Sequence, residues 1–107
     1  MSSIGFFQFD NLIRNRVPFC LLNFSDSQTS LYTSIYKLHL ENWESLVNLE
    51  NYQQVLAEKN LPKDFAIVTL CLDGSLSAQA RDVLLSLGYG NVYWCEGGTK
   101  DWPKKAE

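Results

Sequence analysis

Cys71 is the residue in this chain placed to do chemistry. It opens the stretch Cys71-Leu72-Asp73-Gly74-Ser75-Leu76-Ser77, between the strongest strand signal and the clearest helix signal in the sequence. A cysteine at the end of a buried strand points toward the crevice where open α/β sheets bind their ligands. The loop's N–H groups, unpaired at the helix start, can converge on its sulfur. The positive end of the helix favours a thiolate there. Gly74 lets the backbone curl, because glycine tolerates positive φ. Such a thiol is a candidate covalent nucleophile. The bland alternative is a small buried hydrophobe at a strand end.

The elements that position this loop follow from the apolar pattern. Phe65 to Leu70 is apolar almost throughout and reads as a central strand buried on both faces. Phe19 to Phe24 reads the same way. Ala80, Val83, Leu84 and Leu87 recur at helical spacing and predict a helix over Ala78–Leu87, stopped by Gly88. Asn91 to Cys95 predicts a last buried strand, and a final helical turn is expected near Trp102 and Pro103. Further upstream, Ile4–Phe7 is expected as a strand, Asp10–Arg16 as a short helix, Ile35–Leu40 as a strand and Glu41–Asn60 as a helix. The small polar stretch Ser25–Ser30 reads as a loop rather than a domain boundary. Alternating strands and helices imply one α/β domain over residues 1–107, with a mainly parallel central sheet and helices on both faces.

Composition narrows the function classes. The chain has 107 residues, one domain's worth, with a formal charge of -3. It lacks a basic footprint for nucleic acid and any apolar run long enough to span a membrane. The first residues have no basic n-region, so a secretory signal is not expected. Three cysteines without a CxxC pair argue against a disulfide framework or a zinc site, and free thiols suit a cytoplasmic compartment. Cys20 and Cys95 read as core residues of strands, with a resolving thiol as the alternative for Cys95. His39, the one histidine, reads as structural, with a dyad to Cys71 as the alternative. No metal or other cofactor is implied.

From Phe65 to Trp102 the sequence resembles a rhodanese-like domain. Cys71, Gly74, Ser77 and Ala78 fall on that family's loop pattern. Gly88, Tyr89 and Val92 match its Gly-Tyr-x-x-Val stretch. Gly97, Gly98 and Trp102 match its Gly-Gly-x-x-x-Trp turn. The stretch Leu21–Asp26 sits where the family usually has a strand ending in Asp-Val-Arg, but Asn23 and Phe24 interrupt that signature.

The resemblance implies a sulfurtransferase or persulfide carrier. Cys71 would take a sulfane sulfur from a small donor or a persulfidated protein and pass it to a thiol or other nucleophile. The N–H groups of Leu72 to Ser77 would hold the terminal sulfur. Active members often carry basic residues where this chain has Leu72 and Leu76, and Asp73 adds a negative charge. A neutral or apolar donor therefore fits better than thiosulfate. Arg81 and Lys100 are the nearest candidate pocket cations. The same loop speaks against a cysteine phosphatase, whose loop needs an arginine where Ser77 stands. The alternatives are a protein-binding module that keeps the fold without the chemistry, and a thiol redox sensor.

Overall fold

The computed structural model describes residues 3–25, 32 and 35–103. Five parallel strands form one sheet: β1 (Ser3–Ile4), β2 (Cys20–Asn23), β3 (Glu44–Leu46), β4 (Ile67–Leu70) and β5 (Val92–Cys95). Their order is β1-β5-β4-β2-β3. The helices are α1 (Phe6–Arg14), α2 (Ile35–Trp43), α3 (Tyr52–Lys59) and α4 (Ser75–Ser86), and a short 3-10 turn covers Thr99–Asp101. This is the α/β architecture expected from the alternating pattern.

Both faces of the sheet are covered, as continuous apolarity in β2 and β4 requires. All four residues of each of these strands are buried. Side chains alternate across the sheet. Cys20, Leu22, Ile67 and Cys71 pack in one layer with Tyr52 and Leu56 of α3 and Ala80 and Leu84 of α4. Leu21, Val68, Leu70 and Cys95 pack in the other with Phe9 and Ile13 of α1 and Leu40 of α2.

Four upstream expectations are corrected. Phe6 and Phe7 belong to α1 rather than to a first strand, because the Gly5 N–H donates to Gln8 Oε1 at 2.9 Å and opens the helix there. That helix closes at Arg14, with Asn15 as its cap. Ile35–Leu40 is the start of α2, not a strand. Tyr36 and Leu40 face inward one turn apart, while Ile35 and Leu38 stay exposed. The helix expected over Glu41–Asn60 is split. Glu44–Leu46 joins the sheet edge, and the side chain of Asn48 accepts the N–H groups of Glu50 and Asn51 in a turn before α3. Asn60 does end α3, in a left-handed conformation at φ 56°. The closing turn falls on Thr99–Asp101, just before Trp102. The polar segment 26–31 and the last lysines lie outside the described residues.

The three cysteines are free and buried. Cys20 pairs in register with Ile67, at the start of β4, whereas Cys71 follows its end. Four residues of strand separate them by roughly 13 Å, beyond disulfide reach. Cys95 and Cys71 pack in opposite layers. Burial pushes the Cys20 thiol up to about 11 and the Cys95 thiol up to about 12.

These two thiols make stability pH-dependent in the alkaline range. Their folded values are raised, so their contribution is complete below the unfolded thiol's range. It is lost as pH rises from about 9 toward 11–12, because the unfolded chain releases protons that the folded chain keeps. Stability should fall by up to about 1.4 kcal/mol per pH unit for each thiol in that window. Urea unfolding at a series of pH values checks this: a C20A/C95A variant should decline less steeply than the parent chain.

Candidate active site

β4 delivers Cys71 to the carboxyl edge of the sheet, and α4 begins four residues later. Between them the chain folds around the sulfur. The Gly74 N–H donates to Cys71 Sγ at 3.0 Å, and the Ser77 N–H donates to it at 3.4 Å. The thiol lies 3.5 Å from Ser77 Oγ and 3.8 Å from Asp73 Oδ1, and its proton can go to either oxygen. The expectation of N–H groups converging on the sulfur is therefore met by two of them.

Each loop residue has a distinct place. Gly74 has φ 94°, and a Cβ there would sit 3.2 Å from Trp94 Cζ3 and from the Gly97 nitrogen. Both the conformation and the space select glycine. Asp73 Oδ1 accepts the Ser75 N–H at 3.0 Å and the Ser75 hydroxyl at 2.8 Å. These bonds satisfy the start of α4 and hold the Asp73 carboxyl below the usual carboxylate range, with Lys100 adding to the effect. Ser77 is fully buried. Its hydroxyl donates to the Gly74 carbonyl at 3.1 Å, and its own carbonyl accepts the Thr69 hydroxyl at 2.8 Å. That last bond pins the first turn of α4 to β4.

A second segment supports the loop from behind. The Thr99 N–H donates to the Cys71 carbonyl and the Lys100 N–H to the Leu72 carbonyl, each at 3.0 Å. Gly98 makes this approach possible, since a Cβ there would overlap the Leu72 carbonyl and the Asp73 nitrogen. Trp102 then packs on Phe9 at 4.7 Å and on Phe6 at 5.2 Å between ring centroids. It anchors the segment to α1.

Above the sulfur lies a cavity of about 480 Å³, lined by Phe24, Ser25, Cys71, Leu72, Asp73, Ser75, Leu76 and Thr99. A small ligand fits that volume. Gly74 and Ser77 bond the sulfur without lining the cavity. Arg81 and Lys100 do not line it either. The Arg81 guanidinium lies over the Trp94 ring at 5.9 Å and its Nε pairs with Asp82 at 2.7 Å. Lys100 contributes its backbone N–H to Leu72. Asp73 is thus the only charged group among the described lining residues. Phe24, Ser25 and Thr99 join the site beyond the residues that the sequence marks for it. Thr99 directly follows the Gly97-Gly98 pair, which was the available signal.

His39 is placed on α2, where its Nε2 donates to the Val17 carbonyl at 2.9 Å. A carbonyl only accepts, so this bond fixes the tautomer in a structural role. Among the described residues no cluster of His, Cys, Asp or Glu could hold a metal ion. No helix among them is long and apolar enough to cross a membrane.

Asn23 shows what interrupting the Asp-Val-Arg signature does. It is buried at the end of β2. Its amide donates to Glu44 Oε2 at 2.8 Å, and its Oδ1 accepts from the Ser25 N–H and hydroxyl. N23D would set a carboxylate against Glu44. It should cost about 2–4 kcal/mol near neutral pH and less in acid, where the pair shares a proton. Urea midpoints at the two pH values check the sign.

A parallel sheet whose central strand presents one buried cysteine to a loop of inward-facing N–H groups defines a class of α/β domain organised around a single thiol. Residues 28–105 match the family model of the rhodanese-like domain, and the chain belongs to that family. Solved structures share the fold at low identity. A protein from Staphylococcus saprophyticus subsp. saprophyticus matches with TM-score 0.70 and 17% identity, over 97% of this chain and 95% of its own. A rhodanese-like domain protein from Staphylococcus aureus matches with TM-score 0.66 and 19% identity, over 96% and 92%. An NAD-dependent persulfide reductase from A. fulgidus matches with TM-score 0.65 and 19% identity, over 96% of this chain but 16% of that longer one. No curated protein sequence matches the chain.

Proposed function

We propose that this domain is a sulfurtransferase or persulfide carrier in which Cys71 holds the transferred sulfur. The observation that carries the reading is the cysteine loop itself: Sγ at the floor of a ligand-sized cavity, bonded by the N–H groups of Gly74 and Ser77. The Cys71 thiolate attacks the outer sulfur of a donor persulfide. The new S–S bond forms as the donor's S–S bond breaks, and the donor leaves as a thiolate with the electron pair. No outside oxidant is needed. A second thiolate then attacks the outer sulfur on Cys71 and regenerates it. The inward N–H groups stabilise the negative sulfur in both directions.

The test is to incubate the protein with an alkyl hydropersulfide and weigh it. The expected product carries one added sulfur, mapped to Cys71 and removed by excess thiol. No gain in mass, or gain spread over Cys20 and Cys95, would sink the reading. A protein-binding module is the second reading. It is favoured by Leu72, which is 62% exposed at the cavity rim. It predicts a folded chain that takes up no sulfur.

A further inference from the structure

We infer that Asp73, together with Leu72 and Leu76, sets the donor specificity of this site: it takes hydropersulfides with an uncharged, apolar stem and rejects anionic donors such as thiosulfate. The inference rests on the sulfur-transfer reading of Cys71 and adds the substrate class.

The cavity carries one formal charge among its described lining residues, and that charge is negative. The Asp73 carboxylate cannot turn away freely, because Ser75 holds Oδ1 with two hydrogen bonds. That same oxygen is 3.8 Å from Cys71 Sγ, so its field falls on the reacting atom. Neither candidate pocket cation lines the cavity. Arg81 is stacked on Trp94 and paired with Asp82, and Lys100 does not line the cavity. The adjoining segment 26–34 contains no lysine or arginine. A thiosulfate dianion must therefore approach a carboxylate with no guanidinium or ammonium among the described residues that line the cavity, Lys100 acting on Asp73 only from outside it. The remaining lining offers Phe24, Leu72 and Leu76 as apolar surface, with the hydroxyls of Ser25, Ser75 and Thr99. An alkyl stem buries against the first group at no electrostatic cost.

The transfer step balances for such a donor. The Cys71 thiolate attacks the outer sulfur of R–S–S–H. A bond forms between Cys71 Sγ and that outer sulfur, the donor's S–S bond breaks, and R–S⁻ leaves with the pair and takes a proton from solvent.

The experiment compares n-propyl hydropersulfide with thiosulfate, reading the rate of sulfur addition to Cys71 by mass. Intrinsic donor reactivity cancels when each variant is compared with the parent. Asp73→Asn keeps the acceptor oxygen for Ser75 and removes the charge. It should raise the ratio of the thiosulfate rate to the propyl hydropersulfide rate about three- to tenfold at low ionic strength, because any effect on the Cys71 thiol itself is common to both donors. Added salt should raise the thiosulfate rate of the unaltered protein by screening the carboxylate, a readout that needs no variant. Leu76→Arg should raise the thiosulfate rate further. If D73N and salt leave the ratio of the two rates unchanged, the specificity assignment is overturned while the sulfur-transfer reading stands. If neither donor loads Cys71, both fall.

Discussion

Replacing Cys71 by serine is expected to remove the proposed sulfur uptake, by at least about a thousandfold, while the chain stays folded. A hydroxyl in this position is far less nucleophilic than a thiolate at neutral pH, and the neighbouring Asp73 carboxylate is too weak a base to activate it. The substitution is mild for the fold. Serine keeps an acceptor for the Gly74 and Ser77 N–H groups that now bond the sulfur. The other two thiols cannot substitute for Cys71. Both are fully buried, their values are raised to about 11 and about 12, and neither lines the cavity. Intact mass after donor treatment, with circular dichroism on the same sample, separates loss of chemistry from loss of fold. Uptake that persists in C71S would assign the chemistry to another residue.

The second large effect is expected at a residue with no side chain. Gly98→Ala should destabilise the domain by about 3 kcal/mol or more, since an overlapping Cβ is added at a positive-φ position. Gly98 has φ 70°, and its missing Cβ is where the Leu72 carbonyl and Asp73 nitrogen pass. The backbone can relieve that overlap only by separating the two segments. Separation breaks the bonds from Thr99 to Cys71 and from Lys100 to Leu72. The loop around the sulfur then loses its backing, so sulfur uptake should fall along with the urea midpoint. Gly90 provides the control. An added Cβ there meets only the Lys63 carbonyl at 3.9 Å, an ordinary contact, and G90A should behave nearly as the parent does.

The parts of the fold that were legible in the sequence are those where one physical signal dominates. Ile67–Leu70 is buried on both faces and can only be a central strand. Ala80 and Leu84 repeat at helical spacing, and Gly88 ends that pattern with φ 99°. The Cys71 loop was legible for the same reason, since a strand, a cysteine, a glycine and a helix follow in order. The failures fall where local patterns compete. Ile35, Leu38 and Leu40 look like strand residues because they are apolar, but the first two are exposed on α2. Glu44–Leu46 is an edge strand, half-covered, with Leu46 47% exposed, so its pattern merges with that of the flanking helices. The pocket cations could not be judged from sequence distance. Whether Arg81 reaches a cavity depends on where Trp94 stands, and that is a property of the sheet register.

The strand order also has a consequence for synthesis. Among the described strands β1 pairs only with β5, and β5 is the last of them to be made. On the ribosome the first strand therefore waits without a partner while β2, β3 and β4 come together in its absence. Docking of β5 against β4 must precede or accompany capture of β1, a long-range pairing of the kind that slows folding. Nascent chains halted before Val92 would expose the edge of β4 that β5 normally covers. The closing step of the sheet and the backing of the Cys71 loop by Thr99 and Lys100 both draw on the final stretch of the domain. The thiol site is thereby completed only when the sheet is complete.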